Sequence, residues 1–309
     1  MKAVAKPVLI AAAVVRLALV PAVVPGYLTS LATLTLIYAL LAMSVDILAG
    51  YTGRTPLCHG AIFGTATYVV MYSVTTAGGS PWLAFPLGVA GALAVSVVYA
   101  ALAVRTSGVY FLLLTLALGM IVWGVCQRWT SVTGGENGLR GSARPELLGD
   151  PTAFYYFVLA VGLAATVVMW RFVQSPFGLT LKGIRESDSR MRSLGYNTTL
   201  HVFIAFLFSG LMAGISGALY AYFNSFVSPS TVALTQSVKG LLMVIIGGVG
   251  TLFGGIVGAV VIIVLENVVS SVTQRWSMVL GGLFVLTMIF APEGIVGKLR
   301  SYLARRRRP

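Results

Sequence analysis

The stretch QSPFGLTLKGIRESDSRMRSLGYNTT, Gln174 to Thr199, is the longest strongly polar run in a chain that is otherwise almost entirely apolar. Within it Leu181, Ile184, Met191 and Leu194 recur at helical spacing and draw a narrow apolar stripe, while Lys182, Arg185, Glu186, Arg190 and Arg192 cover the remaining sides. A helix so patterned sits at a water boundary and docks its stripe on another surface. Ser187, Asp188 and Ser189 are placed to cap a second helical turn, Lys182/Glu186 and Glu186/Arg190 stand four apart as ion-pair partners, and Gly195 is placed to end the segment.

The rest of the chain says what kind of boundary this is. Of 309 residues, 58% are hydrophobic and only 9% charged, against about 25% charged in soluble domains, so the composition cannot cover a watery surface. The apolar segments are mostly 17 to 24 residues long, the length a helix needs to cross a hydrocarbon core of about 30 Å. The expected fold class is therefore an all-α membrane protein of about ten transmembrane helices with broken helices, forming one domain over residues 1–309. The expected spans are 8–24, with Arg16 turned to the bundle or snorkelling; 28–49; a third ending near Thr75; 82–104; 109–126; 153–173; 201–223; two within 238–269; and 277–292. The basic start and apolar run of the N-terminus resemble a signal peptide without a convincing cleavage site, so an uncleaved first span is expected.

A net charge of +13 raises nucleic acid as a partner. The basic residues, however, are scattered between spans or gathered in the tail 297–309, with no aromatic-interleaved patch, and nucleic acid is excluded. The tail suits anionic lipid headgroups. With the N-terminus in the cytoplasm, ten spans put fifteen Lys and Arg residues inside and five outside (Arg128, Arg140, Arg144, Lys239 and Arg275). That asymmetry obeys the positive-inside rule, making the 174–199 segment and both termini cytoplasmic.

Two interruptions of the apolar pattern are candidate pathway walls. In GYTGRTPLCHGAIFGTATY, beginning at Gly50, glycines and Pro56 break a span just after Asp46. Freed backbone groups at membrane depth are tolerated only when buried in protein or lining a wet cavity, which directs attention to Asp46, Tyr51, Thr52, Gly53, Thr55, His59 and Gly60. His59 fits either a hydrogen-bonded structural role or substrate contact. The second interruption, GGVGTLFGG, contributes Gly247, Gly248 and Gly250; it faintly repeats the first, although small residues there serve close helix packing before substrate contact. Glu266, late in its span, is either a functional carboxylate or an interfacial one. The loop Arg128–Pro151 is Gly- and Pro-punctuated and lacks the Lys-Ser/Thr of a phosphate-binding loop. Cys58 and Cys126 have no ligand-spaced neighbours. No catalytic constellation, metal site or cofactor is expected in this chain.

Taken together, GYTGRTPLCHGAIFGTATY, RTSGVYFLLLTLALGMI, TGGENGL, SPFGLTLKGIRESDSRMRSLGYN, SGLMAGISGALYA, LLMVIIGGVGTLFGGIVGA and the terminal APEGIVG resemble the permease subunits of ATP-binding-cassette importers for branched-chain amino acids, a group that also includes urea and amide members. The resemblance covers nearly the whole chain. It implies a type II importer-like permease in a bacterial or archaeal plasma membrane, paired with a second, homologous or identical, permease subunit. Two cytoplasmic ATPases binding ATP and Mg would drive alternating access, and an extracytoplasmic binding protein would deliver solute. By the same resemblance Gly178 to Gly195, including Leu181, Ile184, Arg185, Glu186, Ser187, Asp188, Arg190 and Leu194, looks like the coupling segment seated in an ATPase groove. Where many members read a Gln-Leu-Ser-Leu-Gly-His-like run, this chain has Arg54-Thr55-Pro56-Leu57-Cys58-His59. The competing class is an ion-coupled secondary transporter with Asp46 or Glu266 as its proton or sodium site.

The charge asymmetry predicts that cysteines introduced at Ser189 and Ser142 react with an impermeant thiol reagent from opposite faces of the membrane. Labelling of both from one face contradicts the expected topology.

Overall fold

The computed structural model describes residues 17–22 and 24–272, together with 278–279, 281–282, 285 and 294–298. More than half of each of the expected spans 8–24 and 277–292, and most of the basic tail 297–309, lie outside the described residues. Apolar runs become helices because a backbone away from water must satisfy its own hydrogen bonds. The first, α1 (Gly26–Asp46), continues into a π-helical segment, Ile47–Thr52. It is followed by α2 (His59–Thr75), α3 (Pro81–Ala103), α4 (Gly108–Arg128) and α5 (Pro151–Gln174). The polar stretch forms α6 (Pro176–Glu186) and α7 (Asp188–Ser193), and the chain closes with α8 (Thr198–Asn224), the short α9 (Pro229–Val232), α10 (Leu234–Gly247) and α11 (Gly254–Val272). A two-residue antiparallel ribbon, β1 (Leu139–Arg140) on β2 (Phe226–Val227), is the exception to the all-α expectation.

Among the described residues six helices are long and apolar enough to cross a membrane: 26–52, α3, α4, α5, α8 and α11. The ten crossings expected from hydropathy are not reproduced among the described residues. Apart from the two terminal spans, the difference lies in α2 and α10, which have only 17 and 14 residues. Both begin inside the bundle.

Burial sorts the helices into layers. The apolar windows of α1 and α8 are 72% and 67% buried, whereas those of α3, α4, α5 and α11 are 28 to 39% buried. The outer helices turn Leu87, Val98, Leu113, Ile121 and Val167 outward. Such a surface would be a liability in water and is suited to lipid. Inside, small residues bring backbones together. A Cβ on Gly217 of α8 would lie 2.1 Å from the Phe63 carbonyl oxygen of α2, and one on Gly258 of α11 would lie 1.7 Å from the Met243 carbonyl oxygen of α10.

Arg54, Arg105, Arg185 and Arg192 gather at one end of the bundle, here the charged end. The opposite end is closed by the Arg128–Pro151 loop. There Gly141 N–H donates to the Ser225 carbonyl (3.2 Å), Arg144 Nε donates to the Tyr222 carbonyl (3.1 Å), and the Arg144 guanidinium lies 4.1 Å from the Phe154 ring centroid. Burial lowers the Arg144 pKa from its ordinary value. Tyr222 in turn donates its hydroxyl to the Pro81 carbonyl at the start of α3.

Replacing Gly258 with valine drives a branched side chain into the α10 backbone, an overpacking cost of roughly 1–3 kcal/mol or more. The expected result is a lowered Tm in detergent and reduced folded yield. An unchanged Tm would show that α10 and α11 do not depend on this approach.

Candidate functional site

The two stretches singled out for broken helical pattern and the polar stretch converge at the charged end. Asp46, wholly buried, ends α1 and accepts from two backbone N–H groups of the glycine turn, Gly250 to Oδ1 at 2.7 Å and Leu252 to Oδ2 at 2.9 Å. Charge-assisted bonds of this kind are the stronger hydrogen bonds, and they offset part of the cost of burying a carboxylate. The turn can present both N–H groups because its backbone is left-handed at Gly250 (φ 78°) and at Leu252 (φ 54°). Close approach also requires glycine at position 50, where a Cβ would stand 2.2 Å from Asp46 Oδ1 and 2.4 Å from Gly250 N. Gly247 packs backbone to backbone against Gly254, and Gly248 ends α10. These glycines form a turn that closes over the end of α1.

The polar stretch packs onto this turn. Arg185 of α6 donates through Nη1 to the Gly50 carbonyl, and Lys182 Nζ lies 5.4 Å from the Tyr51 ring centroid. The π-helical segment leaves the Gly50 carbonyl available for this bond. Thr52 Oγ1 turns back to the Leu48 carbonyl at 2.7 Å, and the chain leaves the helix at Gly53 (φ 71°), whose α-carbon faces Arg185.

Ser187 caps α7 and Gly195 (φ 87°) ends it, as the sequence suggests. The ion pair formed here is Arg192 with Asp188 at 2.8 Å, in place of those expected around Glu186. Leu181 and Ile184 are 0% and 4% exposed, buried within this chain, whereas Leu179 and Leu194 are 71% and 72% exposed. The apolar stripe on α6 therefore seats on the bundle, and a different face looks outward. Glu186 and Arg190 lie on that outer surface, and Gly178 is packed against Val173.

From Gly53 an extended segment climbs into the bundle. Arg54 anchors its base, donating from Nη1 to the carbonyls of Val104 and Thr106, both at 2.7 Å. Burial lowers the Arg54 pKa from its ordinary value, opposed by nearby Asp188 and aided by Arg192. Thr55 is half-buried along the climb. Leu57 N–H reaches Thr115 Oγ1, two turns into α4, at 3.1 Å. At the top, His59 opens α2. Its Nε2 lies 2.7 Å from Ser209 Oγ, and Ser209 donates its own proton to the Ser44 carbonyl. The network therefore assigns the Nε2–H tautomer to His59, leaving a buried Nδ1 lone pair without a partner among the described residues.

A second re-entrant connection descends from the opposite end. Residues 225–233 pass through β2 and α9, and α10 starts with its first turn against that of α2, where Gly60 N–H donates to Ser237 Oγ at 2.8 Å. Two helices of opposite approach thus begin inside the bundle with their N-termini touching, an arrangement that directs partial positive charge into the interior.

Sequence reasoning missed Ser209, Ser237 and Lys239, the last of which pairs with Glu266. One signal for the pair was available. Lys239 and Glu266 are the only charged residues between 238 and 272, on two apolar segments joined by one tight turn.

The family described as branched-chain amino acid transport system, permease component, matches residues 27–289. The chain is 28% identical over 300 residues to the high-affinity branched-chain amino acid transport system permease protein LivM of Escherichia coli, covering 88% of this chain and 71% of that protein. It is 24% identical to the corresponding permease LivH of Salmonella typhimurium, covering 86% and 93%. It is 25% identical over 193 residues to the autoinducer 2 import system permease LsrC of Salmonella typhi, covering 59% and 53%.

Asp46→Leu would orphan two backbone donors, one buried (Leu252) and one part-buried (Gly250), at about 1–3 kcal/mol for the buried one. The expected outcome is a lower Tm and faster labelling of a cysteine at Thr251 by a thiol reagent, with Asp46→Asn, which keeps an acceptor oxygen, less affected. Labelling rates unchanged in Asp46→Leu would contradict the clamp.

Proposed function

The chain belongs to the branched-chain amino acid transport permease family, and from that premise we propose that it is a membrane subunit of an ATP-binding-cassette importer. Its solute would be a branched-chain amino acid or a related small polar molecule. In this reading the chain is a multi-pass protein of a bacterial or archaeal plasma membrane with both termini cytoplasmic. It pairs with a second permease subunit, two cytoplasmic ATPases supply ATP and Mg chemistry, and an extracytoplasmic protein delivers the solute. The chain itself carries no catalytic step.

One observation carries the reading: a polar double helix, α6–α7, with an outward face and an inward bond. Leu179, Arg190, Leu194 and Tyr196 are exposed, suited to a partner contact with apolar centre and charged rim. On the inward side Arg185 ties the same element to Gly50, where the pathway helix breaks. Nucleotide-driven motion of the ATPases would displace α6–α7, and the displacement would be passed to the Gly50–His59 segment and the glycine turn. The substrate pathway would run where α2 and α10 meet. For the ion-coupled alternative Asp46 is poorly disposed, because both of its oxygens are occupied by backbone N–H groups.

Leu194→Asp places a charge in the proposed dry contact without touching the bundle. It is expected to abolish co-purification of the ATPases while the chain still inserts and unfolds at its normal Tm. Arg185→Gln should do the reverse, keeping the ATPases bound and cutting ATP-driven uptake about 10-fold or more, since charged hydrogen bonds contribute roughly 1.5–3 kcal/mol. Full ATPase retention and uptake in Leu194→Asp would overturn the coupling role of this face.

A further inference from the structure

A cavity of about 330 Å³ opens among α1, α8, α10 and α11, about three turns along α11 from the glycine turn and about two turns before the end of α10. Its polar wall is an ion pair. Lys239, its side chain 11% exposed, bonds to the carboxylate of Glu266, 25% exposed. The Lys239 ammonium also lies 4.3 Å from the Tyr38 ring centroid, and Tyr38 donates its hydroxyl to Gln236 Oε1 at 3.1 Å. The rest of the lining is mixed, apolar at Leu31, Leu34, Phe223 and Ile263 and polar at Asn224, Asn267 and Ser270.

Three features make this more than a structural ion pair. A buried pair is weak evidence for stability, because desolvating two charges costs about as much as their attraction returns. This one borders open space, at the small end of the roughly 300–1,000 Å³ range of small-molecule sites. It also stands beside the junction of the two re-entrant helices: Gln236 lines the cavity, and its neighbour Ser237 holds the Gly60 N–H.

We propose that the Lys239–Glu266 cavity binds a zwitterionic α-amino acid with an apolar side chain. The ligand carboxylate would take the Lys239 ammonium, its ammonium would take the Glu266 carboxylate, and its side chain would rest on the Leu34 and Ile263 side. With no ligand the two protein charges neutralise each other, so the empty site carries no net charge. The same balance discriminates against singly charged solutes, which leave one buried protein charge unmatched. The inference takes its physiological meaning from the importer reading above, while its geometry stands independently.

The test uses the full-length chain in nanodiscs with tritiated L-leucine as probe, and N-acetyl-L-leucine and 3-methylbutylamine, each lacking one charge, as competitors. Saturable leucine binding is expected, with both competitors at least tenfold weaker. The double variant Lys239→Met/Glu266→Gln leaves no unpaired buried charge and is expected to keep the wild-type Tm and lose at least tenfold in leucine affinity. Wild-type affinity in that variant, equal competition by the one-charge analogues, or no leucine binding by the wild type would each overturn the site. In proteoliposomes holding the assembled importer, unchanged leucine KM in the double variant overturns the site and leaves the importer reading intact. Uptake without ATP dependence would remove the importer reading, while the binding result would still decide the site.

Discussion

The clasp between the Asp46 carboxylate and the N–H groups of Gly250 and Leu252 holds the charged end of this molecule together. A carboxylate with no solvent exposure is costly unless its lone pairs are met, and here two donors from one strained turn meet them. That bond brings the turn between α10 and α11 against the end of α1. The approach is close enough that position 50 has room only for hydrogen, and the Gly50 carbonyl is left facing the polar helices, where Arg185 takes it. Remove the clasp and the turn, the π-helical end of α1 and the seat of α6 all lose their common reference.

Much of this was legible in the sequence, because the signals were strong departures from a uniform apolar background. Asp46, Gly50 and the glycine run at 247–250 stood out as polar or backbone-permissive residues within apolar runs, and Ser187 and Gly195 announced the ends of α7. Other features were hidden for physical reasons. Hydropathy reports how apolar a run is but not where along the membrane normal it begins, so α2 and α10 read as full crossings although both start inside the bundle. An apolar stripe shows that a helix has a dry face but not whose surface dries it. Leu181 and Ile184 consequently suggested an intermolecular contact and proved to be internal. Lys239 looked like an external charge because pairing with Glu266 depends on a three-dimensional neighbour 27 positions away.

The architecture separates two tasks. The outer helices present aliphatic side chains to lipid and need little specificity. The central pair, α1 and α8, together with the re-entrant connections, hold the polar groups: the His59–Ser209–Ser44 chain, the Gly60–Ser237 bond and the Lys239–Glu266 cavity. Polar groups at this depth are held by one another, which makes their arrangement a small set of discrete alternatives, as the proposed alternating-access cycle requires. The bonds from Arg185 to Gly50 and from Asp46 to the glycine turn connect that interior to the water-facing helices.

In the proposed importer cycle α6 and the broken end of α1 move as one body. Pulsed electron-spin distance measurement on the assembled importer, with nitroxides on cysteines at Leu179 and Thr55, in nucleotide-free and ATP-trapped states, tests this motion. One unchanged distance distribution is expected for this pair, while the distance from Leu179 to a label at Ser142 on the opposite end shifts. A Leu179–Thr55 distance that changes on ATP trapping would mean that α6 slides over the break, contradicting motion of the two as one body.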